Sequence, residues 1–490
     1  MTTVMITDEP LTLEGLLAII DGARVELAED TRAAITASRA VVDRALASNA
    51  AVYGLTTQVG HGRDMRLSEE EIRGEQRMLV MSHSGGVGPP LPTPQVRAAL
   101  AVRLNGIARG GSGASLAAAE VLAAMLNAGV HPIVPETGSL GAADLGPMAG
   151  MAQVAIGQGR AEYLGDVLSG GEALRRAGMT PLMLSGRDGL ALISANGVSI
   201  GHAALVVARA ERAAAAADLA AALSMEATTA NPSIIHPSVA RVKPIPGQAA
   251  AADHLRELLE GSGLMQPDAS HSVQDALSFR VVPQVHGALR EYVAAARNAV
   301  TVELNASDDN PLASIPDHTM ISNGNFHPMV LAISCDALRI AVAQVGQLSE
   351  RRMAHLWEAF FRQMTSLPAA MYGVQLRYPA AAVFAELKQL AAPATLDIPP
   401  LDLGVEDHAT AAPLTVRKAD AALSLLEDIL AIELLLAHDV IAAAPTKPML
   451  GAGTANALRM VDEVITATDP QADAVHRALR KRFPSPAPSR

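Results

Sequence analysis

Aromatic residues and cysteine are nearly missing from this chain of 490 residues. Aromatics make up 2% against 50% hydrophobic residues overall, so the core has to be built from Ala, Leu, Val, Ile and Met, and alanine-rich helices pack closely. The single cysteine, Cys335, excludes an intramolecular disulfide and any zinc cluster built on thiolates, and it suits a reducing cytoplasm. It stands in the apolar run Met329–Ala341, where a buried packing role is expected. No apolar stretch runs uninterrupted for the ~20 residues that a membrane-spanning helix needs. The first ten residues lack the basic-then-apolar order of a signal peptide. There is no run of like charges to mark an interaction tail, and a net charge of −12 argues against a nucleic-acid surface. The 14 histidines include no His-x-x-x-His or His-Glu-x-x-His spacing, so no metal site is expected. A cytoplasmic protein without membrane, nucleic-acid or metal partners is the resulting expectation.

What the chain does have is helical periodicity. The length alone suggests about three domains, but long helices can fill one or two instead. Leu11, Leu13, Leu16, Leu17, Ile19 and Ile20 repeat at helical spacing, and further helices are predicted over 31–48 and 114–128. From Val198 to Ser224 the sequence is apolar and alanine-rich enough for a long buried helix, and hence for a bundle. Residues 151–190 read as a surface excursion and 230–270, with several prolines, as irregular. The expected division is a loop-rich N-terminal region over 1–200, a central and C-terminal helical bundle over 201–483, and a Pro- and Ser-rich disordered tail over 484–490.

Chemistry concentrates in loops. Residues 136–150 (Glu-Thr-Gly-Ser-Leu-Gly-Ala-Ala-Asp-Leu-Gly-Pro-Met-Ala-Gly) carry Gly138, Gly141 and Gly146, with Asp144 at the expected N-cap of the next helix. A sharp loop feeding a helix N-terminus is a place to hold an anion or a reactive group. Tyr53 lies in a second glycine-rich loop, Val52–Gly62, either as a ring capping the core edge or as a working phenol. His83 follows a helix and precedes Gly85-Gly86, as a hydrogen-bonded structural residue or a substrate contact. Asn196, in Ala-Leu-Ile-Ser-Ala-Asn-Gly, can cap the following helix. Further signals are Gln274 and Arg280 in Ser272–Gly287, Phe326 in Ile321–His327, and Glu406 in Gly-Val-Glu-Asp-His.

From about Leu13 to Met460 these motifs, in this order, resemble the histidine and aromatic amino acid ammonia-lyases. The resemblance implies a mainly α fold, an ammonia-lyase-like long-helix bundle with a loop-rich N-terminal region, assembled as a homotetramer whose sites combine loops of different subunits. It implies catalytic roles for Tyr53, Asn196 and Glu406, and substrate-binding roles for His83, Gln274, Arg280 and Phe326, with the Arg280 fork on a carboxylate. Glu406 is more typical of the histidine-specific branch.

Two departures stand out. The family's loop reads Gly-Ser-x-Gly-Ala-Ser-Gly-Asp-Leu-x-Pro, and its Ala-Ser-Gly triplet cyclises and dehydrates to the electrophile 4-methylideneimidazol-5-one. Here Ala142, Ala143 and Asp144 follow Gly141 directly, one residue short and without the serine. The family's nearby base tyrosine corresponds to Leu277, which cannot take a proton. The expectation is therefore a lyase-type enzyme that needs no prosthetic group and acts by elimination or addition on a carboxylate-bearing, amino-acid-like small molecule. A conventional histidine ammonia-lyase, forming urocanate and ammonia, and a catalytically silent binding or assembly protein are the alternatives.

Overall fold

The structure, a computed structural model, describes residues 2–48, 50–364 and 370–483. The expected tail over 484–490 lies outside the described residues. The fold is mainly α, as expected, with only short strands beside the helices. The chain divides into two compact units. One takes Met1–Leu205, Arg297–Ile333 and Ala394–Arg417; the other takes Val206–Ala296, Ser334–Pro393 and Lys418–Arg490.

In the first unit, local sequence signals set the helix starts. Ser68 and Glu71 form a reciprocal capping box at the head of Glu69–His83, and the Ser115 side chain caps Leu116–Ala128. The predicted helix over 31–48 is observed as Glu29–Ala47. Val87–Pro90 pairs antiparallel with Pro135–Thr137, which brings the end of the helix Glu69–His83 next to the start of the loop at 138. That helix also packs with Leu145–Ala155 and Asp188–Ile193. Three segments distant in sequence thus converge where His83, the 138–144 loop and Asn196 lie.

Three expectations are corrected. Asp144 stands at the N-cap position of Leu145–Ala155 but makes no side-chain bond to that helix. Its carboxylate instead accepts from the Ser199 backbone N–H at 2.7 Å and lies 3.0 Å from Ser199 Oγ, so it caps the start of Gly197–Thr228. Asn196 does not cap that helix, because its amide is turned to the Phe326 carbonyl, 2.8 Å away. The stretch 230–270 is not irregular throughout: Pro246–Leu258 is a helix, with Pro246 at the first position, where a missing N–H costs nothing. Within 151–190, Arg160–Tyr163 and Asp166–Ser169 form a hairpin followed by the helix Gly170–Arg176.

The second unit has an apolar cluster of Ala221, Ala222, Met225, Leu255, Leu259, Phe279 and Val282. It also buries charge. Arg352 meets Glu433 through Nε at 2.6 Å and Nη2 at 2.9 Å, with both side chains fully buried and Ser224 and Ser349 completing the carboxylate's bonds. Cys335 is fully buried, as predicted, and burial pushes its thiol up to about 12. Two segments, Asp188–Thr228 and Met329–Gln363, are long and apolar enough in composition to cross a membrane, but 94% and 61% of their apolar windows are buried within the fold.

Candidate functional site

The loop after Thr137 is pinned from several sides. Gly141 has φ +81°, and a Cβ there would stand 2.3 Å from Thr410 Oγ1, whose hydroxyl donates to the Gly141 carbonyl at 2.7 Å. The Ala411 N–H donates to the Leu140 carbonyl at 2.8 Å. Ala143 carries φ +58°, a left-handed conformation that costs an alanine of order 1 kcal/mol. Its N–H donates to the Phe326 carbonyl at 3.1 Å, and the Asp144 N–H donates to Ala195 at 2.9 Å. Ser139 Oγ lies 2.8 Å from Asp144 Oδ1 and 3.1 Å from the Ala143 carbonyl. Asp144 is fully buried. Burial pushes its carboxyl up, against the hydrogen bonds from Ser199 and Ser139.

On one side of Ala142 and Ala143 is a cavity of about 410 Å³, lined by Tyr53, His61, His83, Phe326, Asp402 and Glu406 among others. A second cavity of about 430 Å³ shares Ala142, Ala143, Leu145 and Glu406 with it and adds His408. His408 Nδ1 lies 3.0 Å from His327 Nε2, and both burial and the His408 ring push His327 down.

Two turns supply the polar wall of the first cavity. Tyr53 is half-buried and its Oη accepts the Gly60 N–H at 3.0 Å. Burial pushes the phenol up, reinforced by the charges of Glu406 and Asp402. Opposite, Leu401 and Glu406 bridge through backbone hydrogen bonds of 2.8 and 3.3 Å, closing a tight turn in which Asp402, Leu403 and Gly404 all have positive φ. That turn projects Asp402 onto the Tyr53 loop: Oδ2 accepts the His61 N–H at 2.9 Å and Oδ1 sits 2.7 Å from His61 Nδ1. Gly60 has φ +58°, and a Cβ there would fall 2.2 Å from Asp402 Oδ2, so only glycine allows the contact. Glu406 is pushed up by burial and by Asp402, with His83 opposing. His83 Nδ1 lies 2.9 Å from the Leu79 carbonyl, so it must carry the hydrogen, and Nε2 is left as the acceptor of the neutral ring.

Asn196 is fully buried beside this cavity. Its N–H donates to Asp308 Oδ2 at 2.7 Å, while its Oδ1 has no hydrogen-bond partner among the described residues. A buried orphan carbonyl is costly unless a ligand or water satisfies it. Behind Asn196, Arg103 grips Asp309 at 2.8 Å and approaches Asp308 at 3.4 Å. Arg187 donates to the Ser112 and Pro311 carbonyls at 2.6 and 2.7 Å and is pushed down to about 10 by burial. Burial pushes Asp308 up to about 6 and Glu303 up to about 7.

The first unit therefore brings together Tyr53, His83, Asn196, Phe326, Glu406 and the Ala142–Asp144 loop. Gln274 and Arg280 belong to the second unit. There Gln274 lines a separate cavity of about 330 Å³ with His271, Asp275 and His355, and Leu277 is exposed. The sequence reading missed His61 and Asp402. His61 stands between two glycines of the Tyr53 loop, and Asp402 only four residues before Glu406, yet nothing local announces that they pair.

A family model described as aromatic amino acid lyase matches residues 11–463. The chain is 38% identical to the histidine ammonia-lyase of Alkaliphilus oremlandii over 447 residues, covering 89% of this chain and 88% of that one. Its structure is similar to that of ergothionase from Treponema denticola, an ergothioneine-degrading enzyme solved in complex with desmethyl-ergothioneine sulfonic acid. The TM-score is 0.91 at 28% identity, covering 98% of both chains. It is also similar to histidine ammonia-lyase from Trypanosoma cruzi, with a TM-score of 0.86 at 32% identity over 98% of this chain and 94% of that one.

Proposed function

The chain belongs to the aromatic amino acid lyase family, and from that premise we propose that it catalyses elimination or addition on a carboxylate-bearing, amino-acid-like small molecule without a methylideneimidazolone group. One observation carries this reading. Between Gly141 and Asp144 there are only two methyl side chains, and the nearest hydroxyl in the sequence, Ser139, is engaged with the buried Asp144 carboxylate. Dehydration of the loop needs a hydroxyl to lose, so these residues do not fit the prosthetic group. Removing a proton from an unactivated β-carbon without an electron sink requires the substrate to lower the barrier itself, by an acidic C–H or by a leaving group better than ammonia.

The rest of the cavity supports binding of such a molecule. Glu406 and His83 suit a polar or cationic side chain and Phe326 packs against it, while Asn196, buried behind Phe326, keeps an unsatisfied acceptor. Tyr53 serves as acid or base. Arg280, with Gln274, holds the carboxylate, brought by a neighbouring subunit of a homotetramer working in the cytoplasm. Ergothioneine, a trimethylammonium betaine of a thiolated histidine, meets the leaving-group requirement, and the likeness to ergothionase supports trying it first.

The test is incubation with ergothioneine, histidine, tyrosine and phenylalanine, following the absorbance of unsaturated products, alongside an intact mass. Turnover of ergothioneine by a chain of unmodified mass is expected. Rapid formation of urocanate or cinnamate, or a mass lower by two waters within the 138–147 peptide, overturns the reading. A conventional histidine ammonia-lyase is the second reading, favoured by Glu406 and by the histidine ammonia-lyase relatives. A silent binding protein would leave every substrate unchanged.

A further inference from the structure

We propose that His61, held by Asp402, is the base that takes the substrate proton in the first cavity. The assignment rests on the elimination reading above and chooses among the proton-exchanging side chains of that cavity, since Leu277 offers no titratable group. Four side chains of the cavity besides Asp402 can exchange protons: Tyr53, His61, His83 and Glu406. They differ in what stands behind them.

Tyr53 already accepts the Gly60 N–H, and burial with two nearby carboxylates pushes the phenol up, with the Gly60 bond and the Arg63 charge opposing. His83 is backed by a neutral carbonyl, that of Leu79. Glu406 lines the cavity next to Asp402 and His83, and in the reading above it holds the cationic substrate. His61 alone is backed by a carboxylate: Asp402 Oδ1 lies 2.7 Å from Nδ1, and Oδ2 takes the His61 backbone N–H. A carboxylate on Nδ1 fixes the tautomer, leaves Nε2 as the acceptor and stabilises the imidazolium that forms. The ring is largely exposed and lines the cavity, so Nε2 is open to an incoming molecule. The geometry is costly to build, because Asp402 and Leu403 are held at φ +48° and +55° and Gly60 has to be glycine.

In the step itself, Nε2 takes the proton from the carbon next to the one bearing nitrogen. The C–H electron pair becomes the new C=C bond, and the C–N pair departs with the amine. A quaternary ammonium leaves as a neutral tertiary amine, so no proton has to be supplied to it, and the proton on His61 passes to water. Asp402 acts as a positioning residue throughout.

The experiment compares wild type, His61→Ala, Asp402→Asn and Glu406→Gln with ergothioneine and L-histidine as probes. His61→Ala is expected to lower kcat about 10²–10⁴-fold with KM little changed, and added imidazole to restore part of the loss. Asp402→Asn is expected to lower kcat about 10–100-fold, whereas Glu406→Gln acts mainly on KM. His61→Asn, which keeps a polar side chain at the same place, should behave as His61→Ala does. Wild-type kcat in His61→Ala, or a loss that imidazole leaves untouched, overturns the assignment while the elimination reading stands. If the wild type converts neither probe, both fall together.

Discussion

Gly60 is a single residue on which the geometry of the first cavity depends. A methyl group there would meet Asp402 Oδ2 at 2.2 Å and sit at a positive φ. Gly60→Ala is therefore expected to push Asp402 off His61, costing about 1 kcal/mol of stability but roughly 10²-fold in turnover. Urea denaturation and steady-state kinetics on the same sample separate the two effects. Individual site residues were legible in the sequence to the extent that they sat inside recognisable loops: Tyr53, His83, Phe326 and Glu406 do line one cavity. The pairing of His61 with Asp402 was not, because 341 residues separate the partners and no local pattern links them. Asp144 shows the opposite error. Adjacency pointed to the helix it precedes, whereas its carboxylate reaches the helix that begins at Gly197.

That helix, Gly197–Thr228, was readable as an element, since its alanine-rich run needs no partner to be recognised. Its starting point was readable only within a residue or two, because the cap comes from another loop. Asp144→Ala removes the acceptor of the buried Ser199 N–H and is expected to cost about 1–3 kcal/mol. Asp144→Asn, which keeps an acceptor oxygen, should cost less. Chemical denaturation of the two variants in parallel checks the order. The helix Pro246–Leu258 was hidden by its flanking prolines, which mark irregular chain in most settings but are tolerated at a first helical turn.

For the molecule as a whole, the helical class followed from periodicity and from the family resemblance, while the buried charges did not, because each depends on segments far apart. Glu303 and Asp308 have carboxyls pushed up to about 7 and about 6, so the folded chain binds protons that the unfolded chain releases near pH 4. Their contribution to stability is full below about pH 4 and is lost as the pH rises to about 6–7. Glu303→Gln should thus stabilise the protein at pH 8 and make little difference at pH 4, as measured by urea unfolding at both. Arg352→Ala leaves Glu433 charged and fully buried without its cation, at an expected cost of about 3–5 kcal/mol. Cys335, the one sulfhydryl in the chain, is sealed inside and held protonated, which makes the native protein inert towards thiol-modifying dyes. Labelling therefore requires the fold to open around that position, so the rate at which a dye is taken up gives a built-in gauge of breathing in the second unit, with no engineered probe.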